Sequence, residues 1–106
     1  MKKYKLHNSG DRGWFIGNFP IAVYQTDKFE VAYQINQRSH AASHYHEKIT
    51  EISLITAGKC LVNGEIFTAG DIYVLQPGDI SQIEFLEETA MVTIKTPGIP
   101  TDKVLL

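Results

Sequence analysis

Residues 44–58 read His44-Tyr45-His46-Glu47-Lys48-Ile49-Thr50-Glu51-Ile52-Ser53-Leu54-Ile55-Thr56-Ala57-Gly58. In an extended strand, alternate residues point to one face with a rise of about 3.3 Å per residue. Two histidines at i and i+2 therefore project side by side, a spacing that lets two imidazoles grip one metal ion. Glu51 follows five residues later, inside the apolar and β-branched segment 49–56, from which a carboxylate can reach the same centre. Imidazole with carboxylate suits zinc, iron, manganese, nickel or copper.

Outward from this stretch, turn signals recur at Asn8-Ser9-Gly10, Gly13, Gly17-Asn18, Asn63-Gly64, Gly70-Asp71, Pro77-Gly78 and Pro97-Gly98. Between them lie short runs rich in β-branched and aromatic residues: 29–35, 49–56, 72–75 and 91–94. Their length and flanking residues predict strands. The clearest hairpin is 59–62 and 65–68 about Asn63-Gly64, because both central positions of a tight two-residue turn need positive φ. No long helix is expected. Many short strands with closely spaced turns mean an all-β sandwich or closed barrel. Alternation over 29–35 places Val31, Tyr33 and Ile35 on one face, expected to be core.

With 106 residues, the chain has the size of one domain. Hydrophobic residues at 43% and charged residues at 21% are ordinary for a folded domain, so disorder as the main state is not expected. A formal net charge of −2, and no Lys, Arg or His between Leu61 and Ile94, argue against a nucleic-acid partner. No apolar run approaches a membrane span, so no membrane partner is expected. Met1-Lys2-Lys3-Tyr4-Lys5 is basic but leads into no apolar h-region, and the cytoplasm is the expected compartment. The lone cysteine, Cys60, reads as a small buried hydrophobe. His40 shares the parity of His44 only if the strand between them is unbroken, and His7 reads as solvated.

The spacing His44-X-His46-X4-Glu51-X6-Gly58 resembles the first motif of the cupins: His-X-His, three or four residues, Glu, six residues, Gly. The glycine expected six positions earlier is Arg38. Gly70 to Ser81 fits the frame of the second motif, Gly-X5-Pro-X-Gly-X2-His. Gly70 and Gly78 match, Gln76 stands at the proline position with Pro77 next, and Ser81 stands where the third histidine belongs. The resemblance implies a small single-domain cupin of the RmlC-like superfamily, a double-stranded β-helix or jelly-roll barrel. It places one domain on residues 1–106, with a barrel core of about 28–95. The ends, around Trp14-Phe15 and Pro97 to Leu106, are expected to wrap the barrel or pair with a partner, and small cupins suggest a homodimer.

A standard cupin centre uses three histidines and one glutamate. The resemblance carries over to His44, His46 and Glu51 as ligands of a divalent metal ion. Ser81 is a poor neutral ligand but stands with Gln82 as a candidate fourth one. In the family register Ser81, Ile83 and Phe85 face inward, and a one-residue bulge would turn Gln82 inward as the fourth ligand instead. Three readings follow: a metal-dependent enzyme acting on a small sugar-like or carboxylate molecule in the barrel, a non-catalytic small-ligand-binding or sensor cupin, or a relic site on an interaction module. A metal-independent route also exists, since cupins acting on nucleotide-linked sugars use histidine as acid/base; it would need a proton donor such as Tyr33, Tyr45 or Tyr73.

Overall fold

The computed structural model describes residues 1–8, 10 and 12–106; Ser9, within the expected Asn8-Ser9-Gly10 turn, lies outside them. The strands are β1 (Trp14–Gly17), β2 (Tyr24–Gln25), β3 (Glu30–Asn36), β4 (Ser39–His40), β5 (His44–Tyr45), β6 (Thr50–Ala57), β7 (Lys59–Val62), β8 (Glu65–Thr68), β9 (Ile72–Leu75), β10 (Ile83–Phe85), β11 (Thr89–Thr96) and β12 (Val104–Leu105). They form a six-stranded sheet ordered β2-β1-β3-β11-β6-β9, a four-stranded sheet ordered β4-β10-β7-β8, and a β12-β5 ribbon. No helix among the described residues is long and apolar enough to cross a membrane.

The two main sheets meet over one apolar cluster. Ile55, Tyr73, Leu75 and Met91 come from the larger sheet, and Cys60, Val62 and Phe85 from the smaller. Full burial of a side chain such as Ile55 contributes about 1.5–3 kcal/mol. Cys60 is fully buried in this cluster, and burial pushes its thiol up, as suits an inert core residue. The expected hairpin forms β7 and β8, with Asn63 at φ 51° and Gly64 at φ 82°.

The interior is not uniformly apolar. Antiparallel register aligns Glu30, Lys95, Glu51 and Leu75 in one row across β3, β11, β6 and β9. The next row inward along the strands is Ala32, Thr93, Ser53 and Tyr73. Ser53 and Thr93 hydroxyls share a 2.9 Å hydrogen bond, so this buried row is satisfied internally. The expectation that Val31, Tyr33 and Ile35 face the core is overturned. Glu30, Ala32, Gln34 and Asn36 take the inner face of β3, and Ile35 is 55% exposed on the outer one. The alternation of β3 holds, but this barrel keeps its polar stripe inside. The terminal segments pack on the same chain: β1 pairs with β3 and β12 with β5.

Gly58 carries the chain from β6 to β7 at φ 90°, and a Cβ there would meet the Glu88 carbonyl oxygen at 2.2 Å and Thr89 Cα at 2.7 Å. Gly58→Ala is expected to cost about 3 kcal/mol or more in urea unfolding. Gly64→Ala, with nothing within 4 Å of its Cβ, should cost only the backbone strain of about 1–2 kcal/mol. Equal costs at the two positions would contradict this crossing.

Candidate metal centre

His44, His46 and Glu51 come together, each offering one ligand atom, with these atoms all within 4.8 Å of one another. Twice a typical ligand bond is roughly 4.4 Å, so small side-chain rotations bring all three onto one ion. His46 and Glu51 are buried and His44 is half-buried. The two imidazoles meet edge to face, centroids 5.1 Å apart.

Local hydrogen bonds explain why these side chains converge. Glu51 lies on the inner face of β6, in register with Lys95. The His46 carbonyl accepts from the Gly78 N–H at 2.7 Å, so the second-motif glycine, at φ 89°, anchors the first motif. His46 Nδ1 donates to the Asp102 carbonyl oxygen, and Nε2 faces Glu51 Oε1 at 3.4 Å. This fixes which imidazole nitrogen is offered to a ligand. The Asp102 carboxylate in turn accepts the backbone N–H groups of Glu47, Lys48 and Ile49, at 3.0, 2.8 and 3.0 Å. One residue of the C-terminal segment thus orients His46 and clamps the loop between His46 and Glu51.

The electrostatics follow from this packing. Burial alone would raise the Glu51 carboxyl, but the hydrogen bond from His46 and the neighbouring Lys95, His46 and His44 hold it below its usual value. The Glu51 hydrogen bond raises His46 against burial, whereas burial lowers His44. Burial pushes the Asp102 carboxyl up, and its three backbone donors with nearby His46 together hold it below its usual value. Tyr73 is pushed well above the usual phenol value by burial and then by Glu51, so it stays protonated beside that carboxylate.

Ser81 sits beside His44 through a two-way backbone bridge, Ser81 N–H to the His44 carbonyl at 2.8 Å and His44 N–H to the Ser81 carbonyl at 3.2 Å. Its side chain is inward and 2% exposed, and Oγ has no hydrogen-bond partner among the described residues. An orphaned buried hydroxyl next to a His-His-Glu set fits a site built for an ion and its water ligands. The expectation of Gln82 as fourth ligand fails on parity. Gln82 N–H donates to Asn63 Oδ1 and its carbonyl accepts the Asn63 N–H, both at 2.8 Å, which pins the segment without a bulge. Gln82 is exposed on an outer groove with His40 and Glu84. His40 pairs with Glu84 at 3.3 Å on that outer face, away from the centre, and His7 is exposed.

The centre opens onto a cavity of about 750 Å³, lined by His44, Glu51 and Tyr73 and by Glu30, Lys95 and Trp14. Of the three tyrosines considered as proton donors, Tyr73 lines it, whereas Tyr33 is on the outer face and Tyr45 is not in the lining. Asp102, Lys95 and Glu30 were missed. Asp102 acts across 53 to 56 positions, with no local signal. Glu30 was legible as the first residue of the polar face of β3.

Asp102→Ala leaves the carbonyl that orients His46 but removes three charge-assisted acceptors. It is expected to lower unfolding stability by about 2–4 kcal/mol, and Asp102→Asn by less. Urea denaturation measures both; an unchanged midpoint for Asp102→Ala would contradict the clamp.

No protein-family model and no curated protein sequence matches the chain. Solved structures do. A conserved double-stranded β-helix protein from Klebsiella pneumoniae superposes with TM-score 0.69 and 23% identity, covering 78% of this chain and 74% of that one. KdgF from Halomonas sp. gives 0.65 and 18%, over 71% and 74%. An RmlC-like cupin from Shewanella frigidimarina gives 0.63 and 16%, over 73% and 72%. Motif frame, sheet order and these superpositions agree, and the chain folds as a small cupin domain, a double-stranded β-helix.

Proposed function

We propose that the chain, a single domain over residues 1–106, is a metal-dependent cupin enzyme acting on a small carboxylate or sugar-like molecule in the barrel. The observation that carries this reading is the convergence of His44, His46 and Glu51 at the wall of an open, partly polar cavity. A divalent ion held by these three residues supplies Lewis acidity to a ligand oxygen. His46 is oriented by the Asp102 carbonyl, and Tyr73 holds a proton next to Glu51. Lys95 and Lys103 line the cavity beside carboxylates Glu30 and Glu51, a mixed polar lining that suits a ligand carrying both acceptors and donors. A second reading, metal-free acid/base chemistry, draws support from the His46–Glu51 pair with Tyr73 beside it. A single buried, unpaired cysteine suits a reducing compartment, and we assign the chain to the cytoplasm.

Untagged protein should carry close to one first-row divalent ion per chain by elemental analysis. His44→Ala/His46→Ala should lose it while retaining the fold. Because Nε2 of His46 must release a proton to ligate, affinity should fall as pH drops through its raised value, by up to about tenfold per pH unit. Calorimetry in two buffers of different ionisation enthalpy reads the released proton. Metal content unchanged in the double variant would sink the metal reading, and activity surviving full chelation would favour the metal-free one.

We also propose a homodimer through the outer face of the six-stranded sheet. Val31–Ile94–Ile52–Val74 and Tyr33–Val92–Leu54–Ile72 form two apolar rows in register there, with Ile72 58% and Val74 49% exposed. A contiguous apolar patch of this kind marks an interaction surface. Light scattering should give twice the chain mass, and Leu54→Glu/Val74→Lys should give the monomer; a monomeric parent protein would contradict this pairing.

A further inference from the structure

Glu30 and Lys95 face each other in register on β3 and β11 and point into the cavity, one strand away from Glu51. Glu30 is 7% exposed, and its Oε1 has no hydrogen-bond partner among the described residues. Lys95 makes no hydrogen bond or ion pair among them either; its Nζ sits over the Trp14 ring, 4.7 Å from the centroid. An acceptor and a donor that lie side by side and could pair with each other are thus both left open, in a place where burial makes unpaired polar groups costly. Glu30 is not part of the His44–His46–Glu51 group.

We propose that Glu30 and Lys95, with the Trp14 ring as an apolar side wall, form a ligand subsite beside the metal centre that takes a small hydroxy-carboxylate. Lys95 Nζ donates to the ligand carboxylate. Glu30 Oε1 meets a ligand hydroxyl, which is both donor and acceptor and so suits that carboxyl in either protonation state. Lys103 lines the same cavity and places a second cation near the ligand carboxylate. A cavity of about 750 Å³ lies within the range that admits a ligand of several carbons. The subsite names the substrate class for the function proposed above and rests on that reading of the barrel as a ligand cavity.

The test is calorimetric titration of metal-loaded and metal-stripped full-length protein with three probes: D-gluconate, which carries both groups, hexanoate, which carries only the carboxylate, and sorbitol, which carries only hydroxyls. Gluconate is expected to bind at least about tenfold more tightly than either of the others. Glu30→Gln should remove the preference over hexanoate, and Lys95→Met the preference over sorbitol, each by about tenfold. Glu30→Gln should keep the parent's metal content, and both variants its near-ultraviolet circular dichroism. Absence of saturable gluconate binding overturns the subsite, as does equal binding of all three probes, or gluconate affinity unchanged in both variants. Gluconate binding that persists in stripped protein supports the subsite. A chain that never takes up metal but still discriminates the probes contradicts the metal reading alone.

Discussion

A carboxylate buried inside a barrel needs a positive partner, and in this chain that need organises the interior. Glu51 is 5% exposed, on the inner face of a central strand. Left alone, such a group would take up a proton or destabilise the fold by several kcal/mol. Here it is kept ionised by His46 Nε2 at 3.4 Å and by Lys95 across the sheet. His46 can serve only because its other nitrogen is committed to the Asp102 carbonyl and its own carbonyl to Gly78. The ion pair is therefore held by three separate parts of the chain, and a cation at the same place would take over the proton's role.

The same constraint explains an inverted burial pattern. Because rows of the large sheet carry Glu30, Lys95, Glu51, Ser53 and Thr93 inward, Val31, Ile52, Val92 and Ile94 on those strands turn outward. The apolar core is confined to one part of the barrel, around Ile55, Cys60, Val62, Phe85 and Met91. The polar part remains open as a cavity. One face of the sheet thereby lines the cavity with polar groups, and the other carries partly exposed apolar rows.

The fold was legible because its signals are local. Asn63-Gly64 states its turn type outright, and the frame of Gly58, Gly70 and Gly78 matches positions where the backbone takes positive φ. The convergence of His44, His46 and Glu51 was legible from their spacing together with the motif it resembles. The facing of β3 was not, because alternation gives two faces and does not say which is inside. The inner face is set by pairing with a distant strand, where Lys95 stands opposite Glu30, sixty-five positions away. Nor was the parity of Gln82 decidable, since it is set by the distant side chain of Asn63. Asp102 could not be found at all, as its partners are contacts of the folded chain only.

Ser81, at the position where the resembled motif has its third histidine, presents a small, buried hydroxyl with no partner among the described residues. The central claim is that three protein ligands suffice there to hold a divalent ion. Anomalous diffraction from crystals equilibrated with zinc or nickel, collected on both sides of the absorption edge, tests it directly. The account predicts one strong peak about 2.0–2.3 Å from Nε2 of His46, a ring nitrogen of His44 and a carboxylate oxygen of Glu51. No peak at that centre, or one only at the outer His40–Glu84 pair, would contradict it.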